Sequence, residues 1–143
     1  MKLKVVVDTN VAISGLLWYV LPNKILKLAR DGFIEICTTR AIFTELIRVL
    51  EYTRFQERLG ELGLTSTDLI DYYEDIVVFY KENAVVDIIR TDKSDNRFIE
   101  AAIDSGSNII ITGDEHLLKI KEYRDIAILT PKEFLEVYTV WGK

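Results

Sequence analysis

Histidine and cysteine are almost missing from this sequence: each occurs once in 143 residues. The single cysteine, Cys37, excludes an internal disulfide and any multi-cysteine metal site. It lies in the apolar run FIEIC and reads as a small core residue rather than a reactive thiol. The single histidine, His116, rules out a two-histidine acid/base pair and an HExxH zinc site. A Ser/His/Asp triad would have to use His116, and no GxSxG elbow accompanies it. Long apolar runs are missing too. The longest, Leu16 to Leu21, is far too short to span a bilayer. No signal peptide is expected, because the basic start at Lys2 and Lys4 meets an apolar run that stops at Asp8. The expected location is therefore the cytoplasm, without a membrane. No repeat, low-complexity tract or Pro/Gly-rich linker divides the chain, so residues 1–143 are expected to form one domain.

What is plentiful is acid. The 23 acidic residues outnumber the 18 lysines and arginines and give a net charge of −5. That balance argues against a general basic surface for nucleic acid, but not against an enzyme whose acids hold cations. With 49% apolar and 29% charged residues, the composition is that of an ordinary globular protein.

Short apolar runs alternate with segments of helical period. Strands are expected at Leu3–Val7, Phe33–Cys37, Ala84–Asp87, Asn108–Ile111 and Ile126–Leu129. Helices are expected at Val11–Val20, Asn23–Arg30, Ala41–Tyr52 and Arg54–Leu62, and at Thr67–Glu82 with Ser66 or Thr67 as N-cap. Further ones are expected at Asp95–Ser105, in a short turn near Glu115–Ile120, and from Pro131 onward, where proline suits the first helical position. Strands alternating with helices imply a mostly parallel sheet covered on both faces. The solidly apolar VVV, NIIIT and IAIL suit that burial. The expected fold class is α/β, a three-layer α/β/α sandwich with about five strands. Ligands of such sheets bind beyond the carboxyl ends of the strands, where the strand order reverses.

Four acids fall on connections at that edge. Asp8 follows the first strand, Glu45 lies in the helix after the second, Asp95 opens the helix after the third, and Asp114 follows the fourth. At 100° per residue, the face of Phe98, Ile99, Ala102 and Ile103 is centred near Asp95, whereas Glu100 and Asp104 point to the solvated side. Glu45 lies about 60° from Ile42, at the edge of its helix's apolar stripe, and Thr44 and Arg48 face away. Each acid has an ordinary reading as well. Asp8 can bond to backbone amides in a turn, Asp114 can cap a helix, Glu45 can pair with Arg48, and Asp95 can cap or pair with Arg97. Their convergence on one edge is what those separate readings leave unexplained. Carboxylates sharing a pocket repel and raise one another's pKa values, and divalent cations relieve this. Oxygen-only ligands suit Mg²⁺ or Mn²⁺, which can polarise a phosphoryl oxygen and supply a nucleophilic water without histidine.

The segments VVVDTNVAISGL, IFTELIRVL, TDKSDNRFIEAA, IIITGDEHLL and ILTPKEFLEV together resemble the PIN-domain family. The likeness runs from about Leu3 to Val137 and is greatest to the prokaryotic branch of toxin–antitoxin toxins related to VapC-type ribonucleases. The resemblance implies a Mg²⁺- or Mn²⁺-dependent endoribonuclease that leaves 5′-phosphate and 3′-hydroxyl ends on RNA. By position, Asp8, Glu45, Asp95 and Asp114 match the family's acidic quartet, and Asn10 and Thr112 match polar residues that orient the acids or a water. Such toxins dimerise and are held inactive by a small antitoxin protein. In the segment Asp92-Lys93-Ser94-Asp95, Lys93 and Ser94 stand where many relatives carry a further acid and a proline. Asp92 remains a candidate outer ligand. Lys93 and Arg97 are candidate contacts to RNA phosphate, or else solvated surface charges. A non-catalytic PIN-like module binding RNA or protein is the rival reading. A Mg²⁺-dependent phosphatase or phospho-acceptor domain is disfavoured, since no lysine stands at a clear phosphate-contact position after the last strand end.

Overall fold

A computed structural model describes residues 2–18, 20–89 and 93–141. The elements run β1 (Leu3–Val7), α1 (Thr9–Leu17), α2 (Val20–Arg30), β2 (Ile34–Thr38), α3 (Arg40–Leu50), α4 (Thr53–Leu62), α5 (Ser66–Ile76) and β3 (Val77–Phe79). A 3₁₀ turn at Lys93–Asp95 leads into α6 (Asn96–Ser105), then β4 (Ile109–Ile111), α7 (Glu115–Leu118), β5 (Glu122–Tyr123), β6 (Ile126–Leu129) and α8 (Pro131–Trp141). Among the described residues the strands form one six-stranded sheet in the order β3-β2-β1-β4-β6-β5. All neighbours are parallel except the two-residue β5 against β6. The chain is thus the expected α/β sandwich, with β1 at its centre.

The alternation of strand side chains divides the core in two. Val5 and Val7 face a core built with Ile13 of α1, Ile25 of α2, Leu46 of α3, Leu59 of α4, Tyr73 of α5 and Phe134 of α8. Val6 faces the opposite way, against Phe98, Ile99 and Ala102 of α6, Cys37 of β2 and Leu117 of α7. Both faces of β1 are dry, which is why its sequence is solid valine.

Four expectations need correction. The helix placed over Thr67–Glu82 ends at Ile76, and Val77–Phe79 pair with Ile36–Thr38 as the edge strand β3. No glycine or proline marks this break, but Val77 and Val78 lose side-chain freedom in a helix and suit a pleated surface. The same helix is capped by Thr65 rather than Ser66 or Thr67. Its hydroxyl accepts the Asp68 N–H at 3.2 Å while Asp68 accepts the Thr65 N–H at 2.9 Å. Ala84–Asp87 is not a strand. This stretch lies along α6, and side chains of that helix take its amides. Asp104 accepts the N–H groups of Asn83 and Ala84, Glu100 that of Val86, and Asn96 those of Ile88 and Ile89. Asn96, Glu100 and Asp104 recur every four residues and form one row on the helix. Glu100 and Asp104, expected to be idle surface acids, therefore fasten a strap over residues 83–89.

Helices α1 and α2 meet at Gly15. A Cβ there would stand 2.9 Å from Leu26 Cδ1 and 2.9 Å from the Pro22 carbonyl carbon. Alanine gains roughly 0.5–1 kcal/mol in a helix interior, but overpacking against backbone costs roughly 1–3 kcal/mol. Packing should win. Gly15→Ala is expected to destabilise the protein by about 1–2 kcal/mol in urea denaturation, and an unchanged or raised midpoint would contradict the close approach.

Candidate active site

The strand order reverses between β1 and β4, since β2 and β3 lie to one side of β1 and β6 and β5 beyond β4. A crevice opens beyond the carboxyl ends of a parallel sheet at such a reversal. Asp8 and Thr112 leave the sheet on either side of it. The Asp8 N–H still donates to the Ile111 carbonyl at 3.0 Å, so the residue is fixed by the ladder before the chain turns into α1. Asp8 then caps that helix, its Oδ1 accepting the Val11 N–H at 2.8 Å. Its Oδ2 accepts the Thr112 hydroxyl, and the same Thr112 oxygen accepts the Asp114 N–H at 2.9 Å. Asp114 in turn caps α7 through the His116 N–H at 2.7 Å. Both capping readings therefore hold, and they bring Asp8 and Asp114 to one place. Together with Asn10, Ser14 and Gly113 they line a cavity of about 350 Å³.

Asp8 is only 5% exposed. Burial pushes its pKa above the ordinary value, the Thr112, Val11 and Gly113 hydrogen bonds oppose the rise, and the negative charge of Asp114 adds to it. The Asp8 charge also helps burial push the Tyr73 hydroxyl upward, so its field reaches into the core beneath.

Glu45 adjoins this pair through Thr9. The Thr9 hydroxyl donates to Glu45 Oε2 at 2.8 Å, while Oε1 faces Arg97 at 3.5 Å and Arg48 at 3.9 Å. Glu45 thus reaches the residue next to Asp8, with its charge already offset by two guanidinium groups. Asp95 is 7% exposed at the head of α6, where the helix dipole favours an acid. Arg97 is engaged with Glu45, Lys93 is exposed, and Asp92 lies outside the described residues. Among the described residues, no three His, Cys, Asp or Glu side chains gather around a single ion position. The structure joins Asp8, Asn10, Thr112 and Asp114, sets Glu45 against Thr9 beside Asp8, and holds Asp95 buried at the head of α6. Two carboxylates and an amide form an all-oxygen donor set, which fits one hard cation completed by water better than a fully protein-ligated ion.

Sequence reasoning missed two contributors. Thr9 positions Glu45, and its only mark is a hydroxyl directly after the strand-end acid. Asn96 is 5% exposed, accepts from Ile88 and Ile89, and donates to the Ile89 and Lys93 carbonyls, so it frames the turn that carries Asp95. It left no mark in the sequence, since helical geometry puts it in one row with Glu100 and Asp104.

An acid whose folded pKa is raised gives up stability as pH climbs through that pKa, because the folded state prefers the protonated form. Asp8→Asn keeps a cap and an amide for Thr112 but carries no charge. Without divalent cations it is expected to be more stable than wild type by about 0.5–2 kcal/mol at neutral pH. The gain should shrink as pH falls toward about 4, where an unfolded aspartate protonates. Chemical denaturation across pH tests this, and a variant less stable than wild type at pH 7 would sink it.

Residues 4–116 match the sequence profile of the PIN domain. The chain is also 31% identical over 146 aligned residues to the protein MJ1680 of Methanocaldococcus jannaschii, itself described as uncharacterized, with 96% of this chain and 92% of that protein covered. Together with the mostly parallel sheet and its strand-end acids, the match over residues 4–116 leads to one conclusion: the chain belongs to the PIN-domain family, whose members are generally nucleases.

Proposed function

We propose that this protein is an endoribonuclease dependent on Mg²⁺ or Mn²⁺, acting as the toxin of a toxin–antitoxin pair. The observation that carries the nuclease reading is the Asp8–Thr112–Asp114 arrangement at the β1/β4 reversal. Asp8 and Asp114 hold the cation, and Thr112 fixes the two acids relative to each other. Asn10, exposed beside Asp8, offers a donor and an acceptor to orient the attacking water or the scissile phosphate. Glu45, steadied by Thr9 and Arg97, and the buried Asp95 complete the acidic wall. The cation, when bound, neutralises phosphate charge and lowers the pKa of water. A water oxygen attacks phosphorus, the bond to the 3′ oxygen breaks, and that oxygen takes up a proton. The products are 5′-phosphate and 3′-hydroxyl ends.

The toxin role, a homodimer and a small antitoxin partner rest on the resemblance of the acid pattern to the VapC-type branch. With no single helix among the described residues long and apolar enough to cross a membrane, we place this activity in the cytoplasm.

RNA cleavage is expected in Mn²⁺ and to stop with chelator. Asp8→Asn and Asp114→Asn should each abolish it, and Thr112→Val should reduce it roughly 10–100-fold, as loss of a group orienting a ligand does. Mn²⁺ should raise the wild-type melting temperature and leave Asp8→Asn unmoved. RNA binding with no cleavage under any divalent ion would favour the non-catalytic module instead. Growth arrest on expression, relieved by Asp8→Asn, tests the toxin role.

A further inference from the structure

A second cavity, of about 310 Å³, adjoins the first and shares two of its lining residues, Asn10 and Ser14. Its far end is formed by Trp18, Arg54 and Phe55. Asn10, Ser14 and Trp18 are spaced by four and therefore form one stripe along α1. At 1.5 Å per residue the stripe runs about 12 Å from the acids, enough for a short run of nucleotides.

The far end has the chemistry of a stacking platform. Trp18 is 42% exposed, and its ring packs at 5.8 Å on the buried Phe55. Arg58 holds it from another side, with its guanidinium 5.8 Å from the ring centre and its Nε donating to the Leu17 carbonyl at 3.0 Å. Arg58 is engaged by Glu61 at 3.8 Å, so its charge is partly spent. Arg54 is different. It lies 4.6 Å over the Phe55 ring, is exposed, and makes no ion pair among the described residues. In a chain of net charge −5, an exposed aromatic ring beside a guanidinium with no ion pair among the described residues suits an anionic ligand with flat apolar groups.

We propose that this groove is the substrate track for single-stranded RNA: a base a short run of nucleotides from the scissile phosphate stacks on Trp18, and Arg54 contacts a phosphate next to that base. The inference rests on the nuclease reading for the position of the scissile bond, and on the groove itself for binding. Base-on-aromatic stacking requires an unpaired strand, so duplex RNA should be excluded.

The test is fluorescence anisotropy of labelled oligouridine in chelator, where no cleavage occurs. Trp18→Ala and Arg54→Glu are each expected to weaken binding about 5- to 100-fold, with thermal melts confirming that both fold. Trp18→Phe should stay near wild type, because the ring is kept. An abasic strand should bind wild type as weakly as oligouridine binds Trp18→Ala, and Arg54→Ala should lower the salt slope by about one. Wild-type affinity in both folded variants, equal binding of abasic strand and oligouridine, or no binding by the wild type would each overturn the proposal. Trp18-dependent binding without cleavage in Mn²⁺ would sink the nuclease reading and leave the groove standing. Cleavage indifferent to Trp18 and Arg54 would do the reverse.

Discussion

The Thr112 hydroxyl is the contact on which the rest of the site depends. One oxygen donates to Asp8 and accepts from the Asp114 amide, so two acids from strands far apart in sequence are set against each other. Thr112 can do this because it is fully buried and its own N–H is fixed to the Leu129 carbonyl at 2.9 Å. Parallel register does the remaining work. Val7 pairs with Ile111, so Asp8 and Thr112 leave the sheet side by side. Rigidity at the strand ends is thus converted into fixed distance between carboxylates, at the cost of burying a charge that hydrogen bonds only partly compensate.

The acids are not equivalent. Among the described residues, Asp8 and Asp114 accept from a hydroxyl and backbone amides, all neutral donors, whereas Glu45 meets Arg97 and Arg48. Among the described residues, positive charge is therefore supplied to Glu45 and not to Asp8 or Asp114. That pair is where a cation gains most. Arginine recurs away from the acids, at Arg54 and Arg58 on α4, but Glu57 and Glu61 share that helix and Arg58 pairs with Glu61, so the positive charge there is concentrated at Arg54.

The sheet and the positions of the acids were readable because both follow from simple patterns. VVV and III are buried on two faces, and a charged residue directly after such a run marks a strand end. What could not be read were features set by distant partners. Val77–Phe79 continues a helical period without a breaker, and only pairing with β2 makes it a strand. The opposed fates of Asp114 and Glu45 depend on a guanidinium from α6 reaching Glu45, which no spacing on α3 announces. Glu100 and Asp104 looked like solvated charges because helical geometry gives direction but not what lies alongside.

The strap over residues 83–89 is held by its amides and by Val86, Ile88 and the buried Ile89, which pack into the core that α6 covers. Asn96, Glu100 and Asp104 accept N–H groups that every residue but proline carries, while side chains such as Val85, 88% exposed, contribute nothing to the attachment. Substitution is therefore easy at exposed positions such as Val85 and restricted at Val86, Ile88 and the buried Ile89. Its exposed positions can drift in charge and shape without loosening α6, which suits them to diverge when a new partner must be met.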